Sequence, residues 1–207
     1  GYTAIGIEPS KWLQQQAVKR KLPILQGVFP HPEATGPYDI ITFVDVIEHV
    51  TNPGKLLSEI NMALGNDGIL TLVTPDVKSL AARLFGYKWW HYRIAHIGYF
   101  NRKNLATLLQ NQGFEIISMT RPSWYFTLRY LGIRALSFFP KFLRFPMPVF
   151  LDKIIVPVNL RDSILVLSSD TFLNSTWAVP PLAPVSGVRA IFSSSFTLPI
   201  SALILAM

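Results

Sequence analysis

Residues 39–46, DIITFVDV, constrain the fold of this chain more than any other stretch. The run is almost continuously apolar. A strand with no polar face must be covered on both sides, the condition met inside a parallel sheet flanked by helices. The next thirty residues agree with that reading. Thr51 and Asn52 can cap a helix, and Pro53 suits its first turn, where the missing N–H would be unpaired anyway. Leu56, Leu57, Ile60 and Leu64 then recur at the spacing of one helix face. Gly65-Asn66-Asp67-Gly68 ends the helix, and residues 69–74 (ILTLVT) read as the next strand.

The same alternation extends in both directions. Residues 3–8 (TAIGIE) form a short strand ending on an acid, broken by Pro9 and Ser10. Residues 11–20 come next as a helix with Trp12, Leu13 and Ala17 on one side. Residues 22–28 make a strand weakened by Pro23. Beyond residue 75, a short helix over 79–85 leads into the aromatic stretch GYKWWHYRIAHIGYF. Asn101 caps a helix that turns Leu105, Leu108 and Leu109 inward, and Gly113 stops it in a left-handed conformation. Residues 114–120 and 163–167 complete the strands. Strand and helix in alternation imply an α/β fold with a doubly wound sheet.

Composition narrows the chemistry. With no cysteine, the chain has no disulfide, thiolate zinc site or cysteine nucleophile. Its four histidines show no paired spacing on one helix face, so no metal site is expected. The net charge of +7 is concentrated: Arg121, Arg129, Arg134, Lys141, Arg144 and Lys153 face only Asp152. Aromatic residues are interleaved with them. Such a segment suits peripheral contact with an anionic membrane through residues 121–153, or a helical cap with solvated arginines. The rest of the chain is near neutral, which argues against a nucleic-acid partner. Residues 169–207 form an apolar tail containing Ser and Pro. Residues 190–207 have the length of a short membrane span, but Ser193, Ser194, Ser195 and Pro199 dilute it.

The block YDIITFVDVIEHVTNPGKLLSEINMALGNDGILTLVTP at 38–75 resembles class I S-adenosylmethionine (SAM)-dependent methyltransferases. It is most similar to the subgroup of ubiquinone-biosynthesis O-methyltransferases. GIEPS at 6–10, HIGYFNRKNLATLLQNQGFEI at 96–116 and RDSILVL at 161–167 extend the likeness in order over residues 1–168. The resemblance implies a Rossmann-like doubly wound sheet in the order 3-2-1-4-5-7-6, with strand 7 antiparallel. It implies a methyltransferase domain over 1–168, SAM as cofactor, a small-molecule or lipid-linked acceptor, and a cytoplasmic or membrane-associated location. Glu8 would hold the SAM ribose, Gln26 and Gly27 the adenine, and Asp45 and Val46 the floor near the sulfonium. The usual acidic partner for the adenine amine is missing. Glu48 would lie on the rim, with Trp90, His96 and Tyr99 toward the acceptor and Trp89, Trp90, His91 and Tyr92 as a lid. His49 is the best general base in the chain, since its ordinary pKa lies near neutrality.

One departure matters. The glycine-rich turn that comes after strand 1 in this family has no counterpart here, so strand 1 is expected to be missing and the chain to be a fragment. Its neighbours would then lose a hydrogen-bonding edge, at roughly 1–3 kcal/mol per unpaired buried group. Weak or absent SAM binding is the corresponding expectation. Two other readings stay open: a non-catalytic methyltransferase-like fragment serving protein contacts, and a nicotinamide-dependent oxidoreductase, since Glu8 would serve either cofactor.

Overall fold

In the computed structural model, residues 3–136, 140, 145–170 and 189–194 are described. The apolar run at the heart of the sequence forms β3 (Tyr38–Val44), paired in parallel with β4 (Leu64–Pro75). Between them α2 (Pro53–Ala63) begins as expected. Asn52 accepts from the Lys55 N–H through its side chain, and Pro53 occupies the first turn. Its Leu56, Leu57 and Ile60 are buried. Each such side chain contributes about 1.5–3 kcal/mol of burial.

Gly65 to Gly68 do not form a separate turn. Leu64 already pairs with Tyr38, and the ladder resumes at Ile40 with Ile69, so the intervening residues bulge out of β4. Asp67 takes a positive φ of 62° within that bulge.

To one side lie β1 (Thr3–Glu8), α1 (Lys11–Lys19) and β2 (Ile24–Gln26), the two strands again parallel. Ala17 is buried as expected, but Trp12 is 63% exposed, so α1 presents a narrower face than its periodicity suggests. On the other side come α3 (Leu80–Phe85), α4 (Arg102–Asn111) and β5 (Phe114–Thr120). Asn101 and Asn104 form a reciprocal capping box at the start of α4. Leu105 and Leu109 are fully buried, and Gly113 takes a φ of 78° where the helix stops. The strand β8 (Ser163–Asp170) inserts antiparallel between β4 and β5.

The tail corrects the expectation of an empty central position. Arg189–Ser194 forms a strand, β9, lying between β1 and β3 and parallel to both. The order is β2-β1-β9-β3-β4-β8-β5. The inner edges of β1 and β3 are therefore paired with β9 over Thr3–Ile7 and Ile40–Val44. The remaining residues of the apolar stretch, 195–207, lie outside the described residues. Among those described, no helix is long and apolar enough to cross a membrane.

The described residues divide into two compact units, cut at 121/122 and 160/161. The sheet belongs to the first. The second holds the basic-aromatic segment: β6 (Trp124–Thr127), α5 (Leu128–Leu136) and β7 (Ile155–Val158). β6 and β7 pair antiparallel, and Arg129 bonds to Asp152 at 3.1 Å.

Candidate functional site

Parallel strands put their carboxyl ends on one side of a sheet, and polar residues collect there. Glu8 closes β1, Asp45 follows β3 directly, and Thr74 and Asp76 stand at the end of β4. Glu8 is half-buried, which pushes its carboxyl pKa up. One of its oxygens accepts from the Ser10 N–H at 2.7 Å. Asp45 is buried in a left-handed conformation with φ 51°. Burial raises its carboxyl to about 6; His91 and Arg93 oppose that rise and Asp162 adds to it.

Beyond Asp45 the chain makes a single 3-10 turn, Ile47–His49. That turn directs Glu48 into the protein. Glu48, expected on the rim, is 1% exposed. Its Oε2 accepts from the Thr74 hydroxyl at 2.9 Å, while Oε1 has no hydrogen-bond partner among the described residues. Burial first, and the nearby Asp45 second, push its carboxyl up to about 8. Its backbone carbonyl accepts from both Ile97 and Gly98 N–H at 2.9 Å, which fixes the aromatic loop against the turn.

His49 is half-buried, and its Nδ1 lies 2.8 Å from the Ala95 carbonyl oxygen. A carbonyl only accepts, so Nδ1 carries the proton and Nε2 of the neutral ring keeps its lone pair. No partner takes that lone pair among the described residues. His96 is 4% exposed and stands edge-on to His49, with ring centroids 4.7 Å apart. Burial, then His49, lower its pKa to about 4, so it is neutral near pH 7. Glu48, His49 and His96 each offer one ligand atom, all within 4.8 Å of one another. This is a mixed nitrogen and oxygen donor set of the kind zinc-like cations accept. The scattered histidine spacing gave no hint of that grouping.

The loop residues are tied down by an acid that no sequence pattern singles out. Asp162, 3% exposed, accepts from Trp90 Nε1 at 3.0 Å and lies 3.3 Å from His91 Nε2 through the same oxygen. Asp76 binds Arg121 at 2.9 Å, and its N–H donates to the Asp162 carbonyl at 2.7 Å. Trp89 is buried, whereas Trp90 and Tyr99 are each 38% exposed. Of the remaining candidates, Val46 is half-buried. Gln26 is exposed beside Gly27, whose N–H donates to the Glu8 carbonyl at 3.1 Å. Thr74, Asp76 and Asp162 could have been suspected only from their positions at strand ends, the side on which open α/β sheets bind ligands. An open groove lined by Phe29, Pro37 and Met62 shares no residue with this cluster.

The family described as "Methyltransferase domain" matches residues 1–119. No curated protein matches the chain. Solved structures share the fold at low identity. A SAM-dependent methyltransferase of Thermotoga maritima, described as a possible histamine N-methyltransferase, is 21% identical with a TM-score of 0.52, covering 81% of this chain and 72% of its own. A Bacillus halodurans methyltransferase is 16% identical, TM-score 0.52, covering 81% and 82%. A Haloferax volcanii methyltransferase in complex with its Trm112 activator is 12% identical, TM-score 0.56, covering 84% and 74%.

Proposed function

The chain belongs to the methyltransferase-domain family, and from that premise we propose that it transfers a methyl group from SAM to a hydroxyl of a small-molecule acceptor. The observation that carries this reading is the His49 ring: Nδ1 is held on the Ala95 carbonyl, and Nε2, itself buried, has no hydrogen-bond partner among the described residues at the carboxyl end of the sheet. When bound, SAM supplies an electrophilic methyl on a sulfonium. The protein's part is alignment and proton removal. His49 Nε2 takes the acceptor hydroxyl proton, and the Ala95 carbonyl stabilises the resulting imidazolium through Nδ1–H. His96, held neutral, adds no competing charge beside it.

The cofactor side fits a ribose. Ser10 occupies one oxygen of Glu8, which leaves the other to accept from a ribose hydroxyl. Gln26 and Gly27 at the end of β2 would border the adenine, with Asp45 and Val46 beneath the sulfonium. Trp90, His96 and Tyr99 would face the acceptor, with Glu48 behind them as a buried, largely protonated group near neutral pH. The likeness of residues 38–75 to ubiquinone-biosynthesis O-methyltransferases favours oxygen as the atom methylated. The lipid-linked alternative rests on the composition of the second unit alone, where Tyr125, Tyr130, Ile133 and Phe150 are exposed in the segment that holds Arg129 and Arg134.

Calorimetry with S-adenosylhomocysteine and with NAD tests the cofactor assignment. Binding of the first, lost in Glu8→Ala, supports it. Binding of NAD alone would turn the reading toward an oxidoreductase, and binding of neither toward a non-catalytic member of the family.

A further inference from the structure

The strand order β2-β1-β9-β3-β4 reverses its direction of winding at β9. From β1 the chain crosses through α1 to β2 on one side; from β3 it crosses through α2 to β4 on the other. Open α/β sheets bind ligands beyond the carboxyl ends of their strands at such a reversal, because connections leaving in opposite directions open a crevice there. β9 runs parallel to both neighbours, so its carboxyl end points into that crevice. The register is specific. Ser193 pairs with Ile7, the residue before Glu8, and Ser194 pairs with Val44, the residue before Asp45. The end of β9 is therefore flanked by the two strand-end carboxylates. The last two residues of β9 are Ser193 and Ser194.

We infer that β9, drawn from the far end of the chain, forms the floor of the cofactor crevice, with the Ser193–Ser194 backbone beneath the ribose-bearing part of SAM between Glu8 and Asp45. The inference rests on the methyltransferase reading and deepens it. A strand more than 140 residues from its partners in sequence takes the position that a glycine-rich first strand would otherwise hold. The floor of such a crevice is backbone that a nucleoside can approach closely, and the end of β9 supplies backbone at that place.

Two measurements on the full chain test it. Hydrogen exchange should show the amides of 189–194 protected to the same degree as those of β3; exchange at the rate of an unstructured peptide would overturn the inference. The chain has no cysteine, so Ser194→Cys creates a unique thiol. Its alkylation by a maleimide should slow at least five-fold when S-adenosylhomocysteine is bound. An unchanged rate, in a variant shown by calorimetry to bind that ligand, would overturn the inference and leave the methyltransferase reading intact. Protected β9 amides with no binding of S-adenosylhomocysteine to the unmodified chain would instead defeat that reading, and the inference with it.

Discussion

His49 and His96 meet edge to face with ring centroids 4.7 Å apart, although they come from separate segments of the chain. Two backbone contacts bring them together: the Glu48 carbonyl receives the Ile97 and Gly98 N–H groups, and the Ala95 carbonyl receives His49 Nδ1. The aromatic loop is thus anchored on the same 3-10 turn that carries the proposed base. Moving one would move the other.

If His49 Nε2 removes the acceptor proton, His49→Gln keeps a similar volume and loses the basic lone pair. Methyl transfer from tritiated SAM to phenolic acceptors should fall about 10²–10⁴-fold. Affinity for S-adenosylhomocysteine, read by calorimetry, should stay within a few-fold. A variant with undiminished transfer would remove His49 from the chemistry.

The buried pair Glu48 and His96 makes stability depend on pH in two opposed ways. Glu48 sits at about 8 against an ordinary 4.5, so between those values the folded chain holds a proton that the unfolded chain has released. Its stabilising contribution is complete below about pH 4.5 and is lost as pH rises through about 8. His96, at about 4 against 6.5, contributes fully above pH 6.5 and loses its contribution as pH falls through about 4. Between 4.5 and 6.5 the two slopes oppose each other, and buried Asp45, raised to about 6 from 3.8, adds to the Glu48 side. Above 6.5 only the Glu48 slope remains, at most about 1.4 kcal/mol per pH unit. Urea midpoints measured from pH 6.5 to 8 should decline for the unmodified chain and stay nearly flat for Glu48→Gln.

The segment from β3 through α2 to β4 was legible because its signals are local: a continuous apolar run, an Asn cap, a proline in the first turn and one apolar helix face. The capping of α4 was legible for the same reason. β9 was not. Six residues in a tail containing Ser and Pro show neither strand alternation nor helical spacing, and their partners lie near the other end of the chain. The burial of Glu48 was hidden too, because the single 3-10 turn that directs it inward has no periodicity to read. Nothing local in the sequence marks Asp162; only the fold shows that it receives Trp90 from 72 residues away.

Close packing around α2 gives a test of the fold itself. A Cβ built on Gly36 would lie 2.5 Å from the Ala63 backbone carbonyl oxygen, and backbone at the end of a helix cannot swing aside as a side chain can. Gly36→Ala should therefore destabilise the chain by about 1–3 kcal/mol, the usual penalty for overpacking. Equilibrium urea unfolding measures it. A neutral effect would mean that this loop moves freely against α2.

Asp162 offers the sharpest separation of hydrogen bonding from charge. One of its oxygens accepts from Trp90 Nε1 and also faces His91 Nε2 at 3.3 Å. Asp162→Ala removes both partners, which should cost about 1–3 kcal/mol and loosen the loop that carries His96. Asp162→Asn retains an oxygen for Trp90 and removes the charge beside His91. The alanine variant should show both a lower urea midpoint and faster hydrogen exchange at Ile97 and Gly98, with the asparagine variant lying between it and the unmodified chain. Equal losses in the two variants would assign the effect to charge alone. Exchange at Ile97 and Gly98 left unchanged by either would show that the Glu48 carbonyl holds the loop without help from Asp162.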